Sequence, residues 1–137
     1  MDISQVLHTG MRREEAFRVE EEHAAIHIGS GSSRVLATPW MIAFMERVSH
    51  RLLAEHIPAG YSSVGVAVEV RHLALTPIGG LVRVRVEIVD LDDRKVLLAV
   101  EARDENEVVG EGRHQRVVID EARFLKRVES KRTEGSR

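Results

Sequence analysis

The chain has 137 residues, 43% of them hydrophobic and 31% charged, with a formal net charge of −2. That supplies the core of one ordinary domain, while the near-balanced charge and 4% aromatic content leave neither a basic footprint nor a stacking platform for nucleic acid. The absence of cysteine excludes disulfides, thiolate metal sites and a cysteine nucleophile. No apolar run reaches the length of a membrane span and no signal-peptide core opens the sequence, so we expect a cytoplasmic protein that makes no use of a membrane.

Residues 1–13 have weak periodicity and read as a surface wrap. Ala16-Phe-Arg-Val19, among charged neighbours, reads as a short edge strand. Residues 23–34 contain Ile28-Gly-Ser-Gly-Ser-Ser33, which lacks the GK[ST] ending of a phosphate loop and reads as a lid or connector. Then comes the stretch on which the chain is organised. Met41, Phe44, Met45, Val48 and Leu52 fall at the spacing of one helical stripe. Thr38 is the expected N-cap, Pro39 suits the first helical position, and Pro58 and Gly60 stop the helix near Ile57. Glu46 sits at the margin of the stripe, where a carboxylate is either a solvated edge residue or a group with chemistry to do.

Four strand patterns follow. Residues 62–73 alternate, with Val64, Val66, Val68 and Val70 on one face and Ser63, Gly65, Ala67, Glu69 and Arg71 on the other. Residues 81–91 alternate again, 96–103 form the next strand, and 108–119 the last. The short turns between them imply an antiparallel meander. Residues 120–128 read as one amphipathic turn and 131–137 as a disordered tail. The expected architecture is α+β, one long helix wrapped by a five-stranded antiparallel sheet, in a single domain with its core at about 11–128 and a flexible tail at 129–137. A polar second face and a long exposed strand favour a homodimer.

Three motifs carry a resemblance. Ala37-Thr38-x-x-Met41-x-x-x-Met45-Glu46, Gly65-x6-His72-x3-Thr76-Pro77 and Gly110-x-Gly112-x-His114-x-Arg116 occur in order across residues 34–128. They resemble the fluoroacetyl-CoA thioesterase-like branch of the hotdog superfamily. The resemblance implies hydrolysis of a small or medium acyl-CoA thioester to the acid and free CoA, with no cofactor and no metal. It implies Thr38, Glu46 and His72 as the catalytic set, and Gly65 and Arg116 at the bound thioester. The selective member of that branch carries phenylalanines in the lid, whereas residues 23–35 here contain no Phe, Tyr or Trp.

The residues are chemically suited to that role. Glu46 is able to activate water or attack the carbonyl itself, His72 to move a proton near neutrality, and Thr38 to orient water or bond the carbonyl. Thr38 and Glu46 are eight residues apart, roughly 12 Å along a helix. Each also has a plainer role open to it. Thr38 could be a cap only, His72 a satisfied strand-end histidine, Gly65 a bulge and Arg116 a solvated edge residue. His114 could pair with the neighbouring strand. His50 and His56 are not on one helix face, and His23 and His27 fall in a loop, so no metal site is expected. Two other functions share such a pocket: a thioester hydratase or dehydratase, and a non-catalytic acyl-CoA-binding protein.

Overall fold

A single stripe of large apolar side chains cannot stay in water, and α2, Thr38–Ala54, buries its stripe across a sheet. In the computed structural model, which describes residues 1–135, Met41, Phe44, Met45, Val48 and Leu52 are all at most 1% exposed. Ser49 joins this buried face because its hydroxyl donates back to the Met45 carbonyl at 2.8 Å. The N-cap, however, is Ala37, whose extended backbone carries no capping side chain. Thr38 is the first helical residue and Pro39 the second. This corrects the expected capping role of Thr38 and leaves its hydroxyl for other work.

The strands are β1 Arg12–Arg18, β2 Tyr61–His72, β3 Leu81–Asp92, β4 Lys95–Arg103 and β5 Val108–Asp120. They form one five-stranded sheet in the order β1-β3-β4-β5-β2, with every adjacent pair antiparallel. The inner face of β3 is the expected alternating set, Val82, Val84, Val86 and Ile88, and Val96, Leu98, Val100 and Ala102 of β4 extend it, all buried under α2. This is the α+β hotdog layout, a helix wrapped by a curved sheet.

β2 departs from the expected alternation. Its pairing with β5 runs Val64↔Val117 and Gly65↔Arg116, then Ala67↔Gln115 and Val68↔His114, so Val66 is an extra residue in a bulge. One extra residue exchanges the two faces of everything beyond it. Ser63 and Gly65 therefore share the helix-facing side with Val68, Val70 and His72, and not with Ala67, Glu69 and Arg71. β2 is also an edge strand, and Val66 and Val68 are exposed on it.

Three connecting regions are more ordered than the sequence suggests. Ile3 and Leu7 are buried in the core, so the N-terminal residues are anchored and do not merely wrap the surface. The lid segment contains a 3-10 turn, Glu21–His23, and a short helix α1, Ala25–Ile28, that ends on Gly29 at φ 75°. It is tied down by bridges Ala24↔Leu36 and Val35↔Pro77. The expected single turn after β5 is a 15-residue helix, α3, Glu121–Gly135, which absorbs part of the expected tail. Residues 136 and 137 lie outside the described residues.

Candidate active site

The helix start and the end of β2 meet in one hydrogen bond. Thr38 Oγ1 lies 2.7 Å from His72 Nδ1. The other ring nitrogen of His72, Nε2, is buried without a hydrogen-bond partner, the only such side-chain atom among the described residues. Buried polar atoms are almost always satisfied, so this nitrogen is free for a group the chain itself does not supply. Burial pushes the His72 imidazole below its usual value, with the Ala74 backbone opposing in smaller measure. At neutral pH the ring is uncharged.

Two turns further along α2, Glu46 reaches over β2 at its bulge. A Cβ on Gly65 would lie 2.7 Å from Glu46 Oε2, 3.0 Å from His114 Cε1 and 3.4 Å from Arg116 Nη1. Glycine is needed here for space, because the carboxylate occupies the volume that a side chain would fill. Arg116 Nη1 stands 3.8 Å from Glu46 Oε2, with the arginine side chain 7% exposed and the glutamate side chain 45% exposed. The cation is thus buried while the carboxylate keeps one side open to solvent or to a ligand.

The guanidinium is held tightly from behind. Arg116 Nε donates to Ser63 Oγ at 2.9 Å and Nη2 to the Ser63 carbonyl at 3.0 Å. Nη1 donates to His114 Nε2 at 3.1 Å. Burial lowers the Arg116 pKa and the Glu46 charge opposes it, which leaves the group a cation. Arg116 is therefore neither a solvated edge residue nor freely mobile. Ser63 and His114 were not expected in the site. A trace of them is present in the alternation of β5, where His114 and Arg116 occupy the same inward parity as Val118. That β2 would turn Ser63 inward is hidden by the bulge.

The expected five residues thus fall into two groups. Thr38 and His72 are in contact, and so are Glu46, Gly65 and Arg116. Within one chain the groups are roughly 12 Å apart along α2 and roughly 20 Å apart along β2. Among the described residues no set of three or more His, Asp or Glu is placed to hold a metal ion, and no helix is long and apolar enough to cross a membrane.

The profile of the fluoroacetyl-CoA-specific thioesterase family matches residues 19–122. The fluoroacetyl-CoA thioesterase of Streptantibioticus cattleyicolor is 35% identical over 101 residues, covering 74% of this chain and 73% of that protein. A crystal structure of a variant of the fluoroacetyl-CoA-specific thioesterase in complex with fluoroacetate and CoA superposes with a TM-score of 0.82 at 30% identity, covering 86% of this chain and 99% of the other. A hot-dog-like protein from Thermanaerovibrio acidaminovorans superposes with a TM-score of 0.89 at 25% identity, over 96% of this chain and 97% of the other.

Proposed function

Because the chain belongs to the fluoroacetyl-CoA-specific thioesterase family, and is by that membership an acyl-CoA thioester hydrolase, we propose that Thr38, Glu46 and His72 perform the hydrolysis, with Gly65 and Arg116 at the bound thioester. The observation that carries this is the Glu46 carboxylate standing over the bare backbone of Gly65, 3.8 Å from a buried guanidinium. The Arg116 guanidinium attracts the Glu46 carboxylate and helps to aim it, and Gly65 leaves room for an acyl carbonyl beside it. Glu46 takes a proton from water, whose oxygen attacks the carbonyl carbon. The oxyanion forms near the start of α2, where the helix dipole and the Thr38 hydroxyl favour negative charge. As the carbon–sulfur bond breaks, the neutral His72 ring, whose Nδ1–H donates to Thr38 Oγ1, accepts at Nε2 the proton that Glu46 took from water and passes it to the leaving thiolate, so that both side chains return to their starting state. Acid and free CoA leave.

The reading includes a homodimer. The two groups lie too far apart in one chain to hold one thioester, and β2 offers an unpaired edge with exposed valines. Antiparallel pairing of β2 with that of a second copy, about a two-fold axis between Val68 and Glu69, sets Gly65 of one copy beside His72 of the other. Each site then combines Thr38 and His72 of one protomer with Glu46, Gly65 and Arg116 of its partner. With no cysteine to oxidise, the chain fits a reducing compartment, and we place its work in the cytoplasm.

The substrate is a small or medium acyl-CoA. The lid presents Ile26 and Ile28 to solvent and carries no Phe, Tyr or Trp between His23 and Pro39, so discrimination between acetyl- and fluoroacetyl-CoA should be weak. Free-thiol release from a panel of acyl-CoAs, acetyl and fluoroacetyl included, tests this. Comparable kcat/KM for that pair is expected. Binding without thiol release on every member rejects hydrolysis in favour of a binding protein.

A further inference from the structure

We infer that His114 is a positioning residue for the hydrolysis, a neutral imidazole that sets the aim of Arg116 and fixes the β2 bulge; the inference rests on the reading of Glu46, Gly65 and Arg116 as the site. His114 is buried at 1% exposure in the middle of the polar cluster. Its tautomer follows from its neighbours. A guanidinium has hydrogens and no lone pair to offer, so His114 Nε2, 3.1 Å from Arg116 Nη1, must accept. The ring proton is therefore on Nδ1, which donates to the Ala67 carbonyl at 2.9 Å.

The Arg116 bond bears on the chemistry and the Ala67 bond on the strand. Arg116 Nη1 is the same nitrogen that faces Glu46 Oε2 at 3.8 Å. With one of its hydrogens on His114, the other is directed toward the carboxylate. Ala67 is the first residue after the extra Val66, so the second bond of His114 holds the strand where its parity changes. The ring edge also abuts Gly65, since a Cβ there would be 3.0 Å from Cε1. One side chain thus joins the three features on which the site depends: the guanidinium, the bulge and the close approach of Glu46 to the bare backbone of Gly65. A positively charged ring would put a hydrogen against Arg116 and lose the acceptor. The charged groups facing the ring are Arg116, which disfavours its protonation, and Glu46, which favours it, but burial acts more strongly than either in keeping it neutral.

The test uses steady-state hydrolysis of the acyl-CoA that the full-length wild type turns over fastest, with thermal unfolding of each variant. His114→Leu removes both bonds and should lower kcat roughly 10–100-fold, the scale of a misplaced catalytic group, with KM nearly unchanged. His114→Gln retains an acceptor for Arg116 and should keep most of the rate. His114→Asn retains the donor to Ala67 but not the acceptor, and should fall well below Gln. In an Arg116→Ala background, His114→Leu should cost almost nothing further. Wild-type kcat for a folded His114→Leu overturns the inference, as does an equal loss in both backgrounds. If His114→Leu does not fold, Gln and Asn decide it, and equal kcat for those two overturns it. Arg116→Ala alone separates this inference from the site reading. If it lowers kcat while His114→Leu does not, only the role of His114 fails; if it leaves kcat unchanged, both fail.

Discussion

Gly65 and His72 stand on the same face of β2 although they are seven positions apart. In a regular strand they would point to opposite sides of the sheet. The bulge at Val66 brings both to the helix side, where Gly65 lies under Glu46 and His72 meets Thr38. The irregularity in the strand is what makes one surface out of the two halves of the motif.

From that relationship follows the first prediction. Gly65→Ala places a methyl group 2.7 Å from Glu46 Oε2 and 3.0 Å from the edge of His114. Glu46 is half exposed and is able to swing away, so the fold should survive with a modest loss in melting temperature. Turnover should drop by about 10²-fold, because the carboxylate no longer stands where it is needed. Thermal melts beside kcat measurements check this, and an alanine variant with unchanged kcat contradicts it.

The histidines give a pH dependence of stability. Burial lowers the pKa of His72 and of His114, and burial together with Arg116 lowers that of His50. The unfolded chain therefore binds protons just below about pH 6.5 that the folded chain refuses. Stability should fall as the pH drops from about 7 toward 5 and recover as it rises. The carboxylates of Glu15 and Asp104, lowered in the folded state, add their loss only in more acid solution. In wild type the melting temperature should decline over that first window, and His114→Gln should flatten the decline. A wild-type melting temperature that does not change between pH 7 and 5 contradicts the assignment.

The shared site makes a prediction about mixtures. Glu46→Gln and His72→Ala should each be nearly inactive as homodimers. Refolded together, they form heterodimers in which one of the two sites has every residue intact. Random pairing should restore roughly a quarter of the wild-type rate. A mixture no more active than its components, with subunit exchange verified by mass, would place each site within a single chain.

Much of this was legible in the sequence, for identifiable reasons. The α2 stripe and the alternation of β3 are pure periodicity, and the stripe residues and Val82, Val84, Val86 and Ile88 are all buried. The order of strand, helix and four strands followed from the turns. The parity of β2 was not legible, because Val64, Val66, Val68 and Val70 look like a perfect alternation and nothing local announces the extra residue. The helix cap is hidden for a similar reason. Thr38-Pro39 has the right chemistry for a helix start, yet the chain is already helical at Thr38 and its hydroxyl meets His72 rather than a backbone N–H of the first turn. Glu46, Gly65 and Arg116 could be named from their motifs, but Ser63 and His114 needed the folded cluster to become visible.

The central claim is that the Glu46 carboxylate drives the hydrolysis, and Glu46→Gln tests it most directly. The substitution keeps the shape and removes only the charge. On the acyl-CoA that wild type hydrolyses best, kcat should fall by about 10²–10⁴-fold, the usual worth of a positioned acid–base group. Melting should fall moderately, because the buried Arg116 loses its counter-charge, while its bonds to Ser63 and His114 hold the cluster together. Turnover equal to wild type, from a folded Glu46→Gln enzyme, would contradict the account.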